Sequence, residues 1–269
     1  MFGRAAWTTD RLTGQLRDMG VRVGDALFVH TSLRAMGLSR GETPGLLRAY
    51  LTVLGPEGSL YAPTHTYSQL GSGRPPFRLD ASCHPLIGAF PEWMRQQPGV
   101  VRSLHPTHSA CGIGAGVDAT LAGHERCEPA GWNSPLDRLR RRGGKVLLIG
   151  CGLESCTLLH LAEVMADVPY LSVCPPGLEP VGLLYRDGCV TEVRIGVSPL
   201  CSRGFPKMEG LLRGCGVFQE GRLGRARVLL ADMEALVEAA AAAFREAPER
   251  YLCEWGCPNC AAARAACWL

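Results

Sequence analysis

The 269 residues predict an α/β protein: a mostly parallel central sheet flanked by helices, with an antiparallel addition. Three observations carry that prediction. Short apolar runs at Ala26–Val29, Ser59–Ala62 and Lys145–Ile149 each end in small polar residues, as buried strands delivering a loop do. Each run adjoins a stretch with apolar residues at helical spacing, and repeated strand–loop–helix units close into a parallel sheet covered on both faces. Further on, VGLLYRDGCVTEVRI brackets an Asp187-Gly188 pair suited to a two-residue hairpin turn.

Taken in order, DRLTGQLRDMG is a helix capped by Thr8 or Thr9 and stopped at Gly20, and VRVGDALFVHTSL holds the first strand. A helix from about Thr43 to Leu54, a Gly-Pro-Glu-Gly turn and the strand ending in PTHTY form the second unit. From Tyr67 to Arg102 the chain is turn-rich (GSGRPPFRLD), then helical (PLIGAFPEWMRQQPG), which suits a lid or wall over the carboxyl edge of the sheet. LDRLRRRGG leads into the third strand, and TLLHLAEVMADV is the helix after it. An Ala-rich helix from Asp232 to Glu246 completes a domain over residues 1–247, and residues 248–269 form a Cys-rich tail. No fixed-period repeat is present, which excludes solenoids and propellers.

Composition narrows the function. Hydrophobic residues at 46% and charged residues at 20% exclude disorder over most of the length. A net charge of +3, from 28 basic and 25 acidic residues, argues against nucleic-acid partners. No run approaches the roughly 18 apolar residues of a membrane helix, and MFGRAAWTTDRL lacks a secretory apolar core, so a cytoplasmic protein is expected. Of the 13 cysteines, nine are scattered and read as small buried hydrophobes in a reducing compartment. The other four crowd together as Cys253-x3-Cys257-x2-Cys260-x6-Cys267, a spacing able to close around Zn²⁺ or an Fe–S cluster, though disulfides or an unligated tail fit it too.

Ligands in open α/β sheets bind beyond the carboxyl ends of the strands. The polar tips there are His30-Thr31-Ser32, Pro63-Thr64-His65-Thr66 and Gly150-Cys151-Gly152, which could cradle phosphate or simply cap helices. Gly150-x-Gly152-x-x-Ser155 approaches a dinucleotide fingerprint, but the third Gly is missing and Glu179 lies too far on for the ribose carboxylate. RSLHPTHSACGIG gathers Arg102, Ser103, His105, His108 and Ser109, a guanidinium and hydroxyls for a polar ligand; the two histidines lack a third metal ligand nearby. Cys151 and Cys156, near a helix start, open an acyl-cysteine route. His160 and Glu163, three apart among Leu158, Leu159, Leu161 and Ala162, share one helical face. A histidine oriented by a carboxylate accepts a proton at neutral pH, although the pair also reads as a self-satisfied core contact.

Six segments in order, LRDMGVRVGDALFVHTSLRAMG, GPEGSLYAPTHTY, RSLHPTHSACGIG, GWNSPLDRL, GGKVLLIG and TLLHLAE, resemble the aminoglycoside 3-N-acetyltransferases, the non-GNAT antibiotic acetyltransferase family. The resemblance runs from about residue 8 to about residue 245. It implies an antibiotic acetyltransferase-like fold and direct acetyl transfer from acetyl-CoA to the 3-amino group of a 2-deoxystreptamine ring. His160 would be the general base, aided by Glu163. His30, Thr31, Ser32, Leu33, Arg102, Ser103 and Ser109 would contact the coenzyme. The expected partners are acetyl-CoA and a small amine, with a monomer or homodimer as the assembly. A polycationic acceptor calls for carboxylates, and the candidates are Asp80, Glu92, Glu125, Glu128 and Asp167. The cysteine tail departs from the family pattern. Two alternatives remain: the same fold acting on another amine metabolite, or a non-catalytic metal-binding scaffold.

Overall fold

The computed structural model describes residues 7–67, 75–173, 181–194, 201–254 and 256–268. The chain opens with α1 (Thr9–Asp18), N-capped by the Thr8 side chain, followed by β1 (Ala26–Thr31). Ser32 then caps the one-turn α2 (Leu33–Met36), accepting from the Ala35 N–H. The helix α3 (Thr43–Leu54) leads to β2 (Ser59–Pro63), and the expected wall over the sheet contains α4 (Ala89–Met94). β3 (Val101–Arg102), β4 (Ala110–Gly114), α5 (Val117–Leu121) and α6 (Pro135–Arg141) precede β5 (Lys145–Ile149) and α7 (Leu158–Ala166).

The hairpin β6 (Val181–Arg186) and β7 (Cys189–Arg194) turns at Asp187 and Gly188, both with positive φ, as the tight mirror-image turn requires. The remaining elements are α8 (Glu209–Gly214), β8 (Gln219–Leu223), β9 (Ala226–Asp232), α9 (Met233–Glu246) and α10 (Pro258–Ala266). Among the described residues no helix is long and apolar enough to cross a membrane.

Seven strands form one sheet in the order β3-β4-β2-β1-β5-β9-β8. The three strands read from the sequence lie together at its centre, β1 parallel to both β2 and β5. Antiparallel pairs extend the sheet on both sides, β4 and β3 beyond β2, and β9 and β8 beyond β5, so the whole is mixed. β6 and β7 form a separate two-stranded sheet.

The central strands are apolar on both faces because each face is covered. Leu27, Val29, Leu147 and Ile149 pack with α1 and α3 on one side. Phe28, Val146 and Leu148 alternate with them and pack with α7 and α9 on the other. That alternation sends His30 to the α7 side, the side of His160. The tail joins the same core: Leu252, Cys253, Cys260 and Ala263 are buried in the cluster that contains α7 and α9.

Candidate functional site

A cavity of about 450 Å³ opens at the carboxyl ends of β1, β2 and β5. His30, Thr31 and Ser32 reach it from the end of β1, His65 and Tyr67 from the end of β2, and His108 from the chain leading into β4. The loop after β5 adds Cys151, Glu154, Ser155 and Thr157; His160 completes that side from the first turn of α7. Leu86, Ile87 and Gly88 of the lid segment close one wall, and Ser202 and Arg203 another.

His160 is buried, with 7% of its surface exposed, and packs its ring 4.8 Å from that of Phe205. Its Nδ1 lies 2.6 Å from Glu163 Oε2, and Tyr170 donates its hydroxyl to the other carboxylate oxygen at 2.9 Å. Burial, then the Glu163 charge, pushes the Tyr170 phenol far above its ordinary value, so it remains a donor. With Glu163 accepting at Nδ1, that nitrogen carries the hydrogen, and Nε2 is the ring nitrogen free to accept a proton.

The other cavity imidazoles are held neutral. Burial pulls His30 down to about 3, and burial with repulsion from His160 and His124 does the same for His108. His65 is held well below its usual value by burial and by His108, whose ring lies 4.6 Å away. His30 Nε2 is buried with no protein partner, an orphan donor or acceptor at the sheet edge.

In the segment RSLHPTHSACGIG, His108 faces the cavity while its other polar side chains turn inward. Arg102 donates to the carbonyls of Leu79, Ala81 and Thr64 and to the hydroxyls of Thr64 and Ser109, which latches the lid segment to the sheet. Ser109 donates to Thr64 O. Ser103 accepts from the Ala110 N–H and hydrogen-bonds His124 Nδ1, and His124 Nε2 reaches Pro129 O. Arg102, Ser103 and Ser109 therefore have internal partners and do not line the cavity, and Leu33, the first residue of α2, is packed in the core. His105 Nδ1 accepts from the backbone of Thr107 and His108, a turn contact rather than half of a metal site.

Gly150 has its own structural reason. Its φ of +64° and the collision a Cβ there would make with Ala35 require glycine so that α2 can approach β5. The thiols of Cys151 and Cys156 are pushed up by burial, to about 11 and about 12, and so lack the thiolate an acyl-cysteine route needs. Among the expected acceptor carboxylates, Glu92 is clamped by Arg95 at 2.6 Å and Asp80 pairs with Arg78. Glu125 lies 4.0 Å from Arg186, and Asp167 ends α7. Among the described residues, the carboxylate lining the cavity is Glu154.

The tail cysteines assemble with a residue from outside the tail. The sulfurs of Cys201, Cys253, Cys257 and Cys260 all lie within 4.8 Å of one another. Cys267 is not among them: seven residues beyond Cys260 on α10, it sits about 10 Å farther along the helix axis, and its thiol faces the Ala263 carbonyl.

Fold and site together define an α/β protein with a histidine-lined cavity at its strand ends and a carboxylate-backed imidazole within it. The family model for aminoglycoside 3-N-acetyltransferase matches residues 28–245, and the chain belongs to that family. It is similar to aminoglycoside N(3)-acetyltransferase IX of Micromonospora chalcea, 31% identical over 250 residues, 84% of this chain and 89% of that protein. Its likeness to aminoglycoside N(3)-acetyltransferase VII of Streptomyces paromomycinus is 36% over 182 residues, 60% of this chain and only 62% of that relative's length. Among solved structures it is similar to the apoenzyme of aminoglycoside acetyltransferase AAC(3)-IVa, with a TM-score of 0.85 and 30% identity over 99% of this chain and 100% of the other. The binary complex of AAC-IIIb with CoASH gives a TM-score of 0.78 at 25% identity, over 89% of this chain and 97% of that one.

Proposed function

We propose that this protein acetylates an aminoglycoside, at the 3-amino group of the 2-deoxystreptamine ring, with acetyl-CoA as donor. The observation that carries the reading is the Tyr170–Glu163–His160 chain of hydrogen bonds ending at the cavity. An amine must be neutral to attack a thioester. His160 Nε2 takes the proton as the nitrogen bonds the carbonyl carbon, and Glu163 stabilises the imidazolium that forms. The C–S bond then breaks, and the coenzyme leaves as a thiolate that is protonated to the free thiol.

His30, Thr31 and Ser32 are the coenzyme contacts of this reading, and His30 Nε2 and Thr31 Oγ1 have no protein partner. Leu33 supports them from beneath, and Arg102, Ser103 and Ser109 act by holding the lid and the β4 approach in shape. Glu154 is the carboxylate for a cationic acceptor. The C-terminal thiols take no part in this chemistry. Support comes from relatives: AAC-IIIb was solved with CoASH, and a histidine-to-alanine variant of AAC(3)-IVa with a gentamicin. A reducing cytoplasmic setting suits both the coenzyme and the twelve described cysteines, all free.

The deciding assay is thiol release from acetyl-CoA with a panel of aminoglycosides, followed by NMR assignment of the acetylated nitrogen. Release with 2-deoxystreptamine acceptors and modification at the 3-amino group is expected. Turnover only with unrelated amines would move the protein to the metabolite alternative, and no turnover with any amine would leave the scaffold reading.

A further inference from the structure

We infer that Cys201, Cys253, Cys257 and Cys260 form a structural Zn²⁺ site that ties the wall of the cavity to the C-terminal tail. Four thiols from two distant stretches of chain converge here, with Cys201 Sγ 3.7 Å from Cys253 Sγ and 4.0 Å from Cys257 Sγ. A tetrahedral ion with Zn–S bonds of about 2.3 Å holds its sulfurs about 3.8 Å apart, so this spacing is that of one ion. The several irons of a cluster would hold the four sulfurs farther apart. Cys253 and Cys260 are buried, while Cys201 and Cys257 are half-buried, which leaves an entry path.

Binding exchanges four S–H protons for one Zn²⁺ and leaves two net negative charges. The surroundings answer that charge. Arg264 donates to the Cys253 carbonyl at 2.7 Å, and Lys207 donates to Leu252 O at 2.9 Å, so two cations are pinned to the backbone beside the sulfurs. Lys207 also pairs with Glu254 at 3.0 Å.

The site has a consequence for the cavity. Ser202 and Arg203 follow directly on Cys201, and both line the cavity that holds His160 as well as the depression beside the four sulfurs. Metal at Cys201 fixes the start of that wall, and Cys253, Cys257 and Cys260 anchor it to α10.

The test uses the full chain purified without chelator. Elemental analysis is expected to give about one zinc per chain in the wild type and in Cys267→Ser, and less than about a tenth of that in Cys201→Ser. Because Cys201→Ser could lose metal by unfolding, wild-type protein supplies a second readout. Alkylation with mass spectrometry should find Cys201, Cys253, Cys257 and Cys260 protected and Cys189, Cys215 and Cys267 modified, with chelator exposing the protected four. Chelation should also speed amide exchange several-fold over residues 202–208. Less than half an equivalent of zinc with uniform alkylation, equal loss from Cys267→Ser, iron in place of zinc, or a disulfide among the four would each overturn the assignment. None of these measurements depends on acetyl transfer, so an inactive protein would leave the metal site standing.

Discussion

His160 Nδ1 and Glu163 Oε2 lie 2.6 Å apart across one turn of α7, and both side chains are buried, yet the His160 ring borders a cavity. A core histidine satisfied by its neighbour would make the same contact with packed hydrocarbon all round. The open space beside this ring is what suits the contact to the proposed role of a base with its orienting carboxylate.

Replacing the proposed base should remove most of the turnover. His160→Ala is expected to lower kcat by roughly 10²–10⁴-fold with the KM for acetyl-CoA little changed, and Glu163→Gln by about tenfold to a hundredfold. Steady-state thiol release measures both. A kcat for His160→Ala within about threefold of wild type would remove His160 from the chemistry.

On the proposed mechanism Tyr170 acts through Glu163, to which its hydroxyl donates at 2.9 Å. In Tyr170→Phe the buried Oε1 loses its donor, which should cost about 2 kcal/mol of stability in urea melts. It should also lower kcat about tenfold without raising the KM for the amine, because the loosened carboxylate no longer fixes the imidazole. Loss of stability with full kcat would make Tyr170 a packing residue only.

The buried imidazoles predict acid sensitivity. His30, His108 and His124 titrate near 3 in the folded protein, each held down chiefly by burial, and near 6.5 when unfolded. Between those values the unfolded chain binds more protons, so stability rises with pH and is lost as pH falls below about 6.5. The loss is at most about 1.4 kcal/mol per pH unit for each histidine. Calorimetry should give a lower Tm at pH 5 than at pH 7, and an equal or higher Tm at pH 5 would contradict the burial of these rings.

The centre of the fold was legible because β1, β2 and β5 are continuous apolar runs, and period and length suffice to identify such strands. The outer strands were not. β4 is spelled ACGIG and β8 QEGRL, and neither shows an apolar run or clean alternation, since partners across the sheet rather than local pattern make them strands. The His160–Glu163 pair could be read from helical spacing alone. That Arg102, Ser103 and Ser109 knit two segments together could not be read from the sequence, because a polar loop that does so has the same composition as one that grips a ligand. Tyr170 could have been found, as the residue seven beyond Glu163 just past the helix end; Cys201 could not, because no spacing links it to thiols more than fifty residues on.

Glu154 is the remaining test of the acceptor. It lines the cavity on the loop after β5, where its carboxylate accepts from the Gly152 N–H at 3.1 Å and its charge faces whatever enters. It is exposed, and one solvated charge pair contributes up to about 1 kcal/mol, which corresponds to about fivefold in binding. Glu154→Gln should therefore raise the KM for a polycationic acceptor about threefold to fivefold at low salt and leave kcat unchanged, because the amine meets His160 as before. Raising the salt to about 0.5 M should narrow the gap between variant and wild type, since screening weakens the attraction that only the wild type has. A KM that is unaffected at low salt would mean that the acceptor's charges are met elsewhere, and a fall in kcat would mean that Glu154 touches the reacting amine itself.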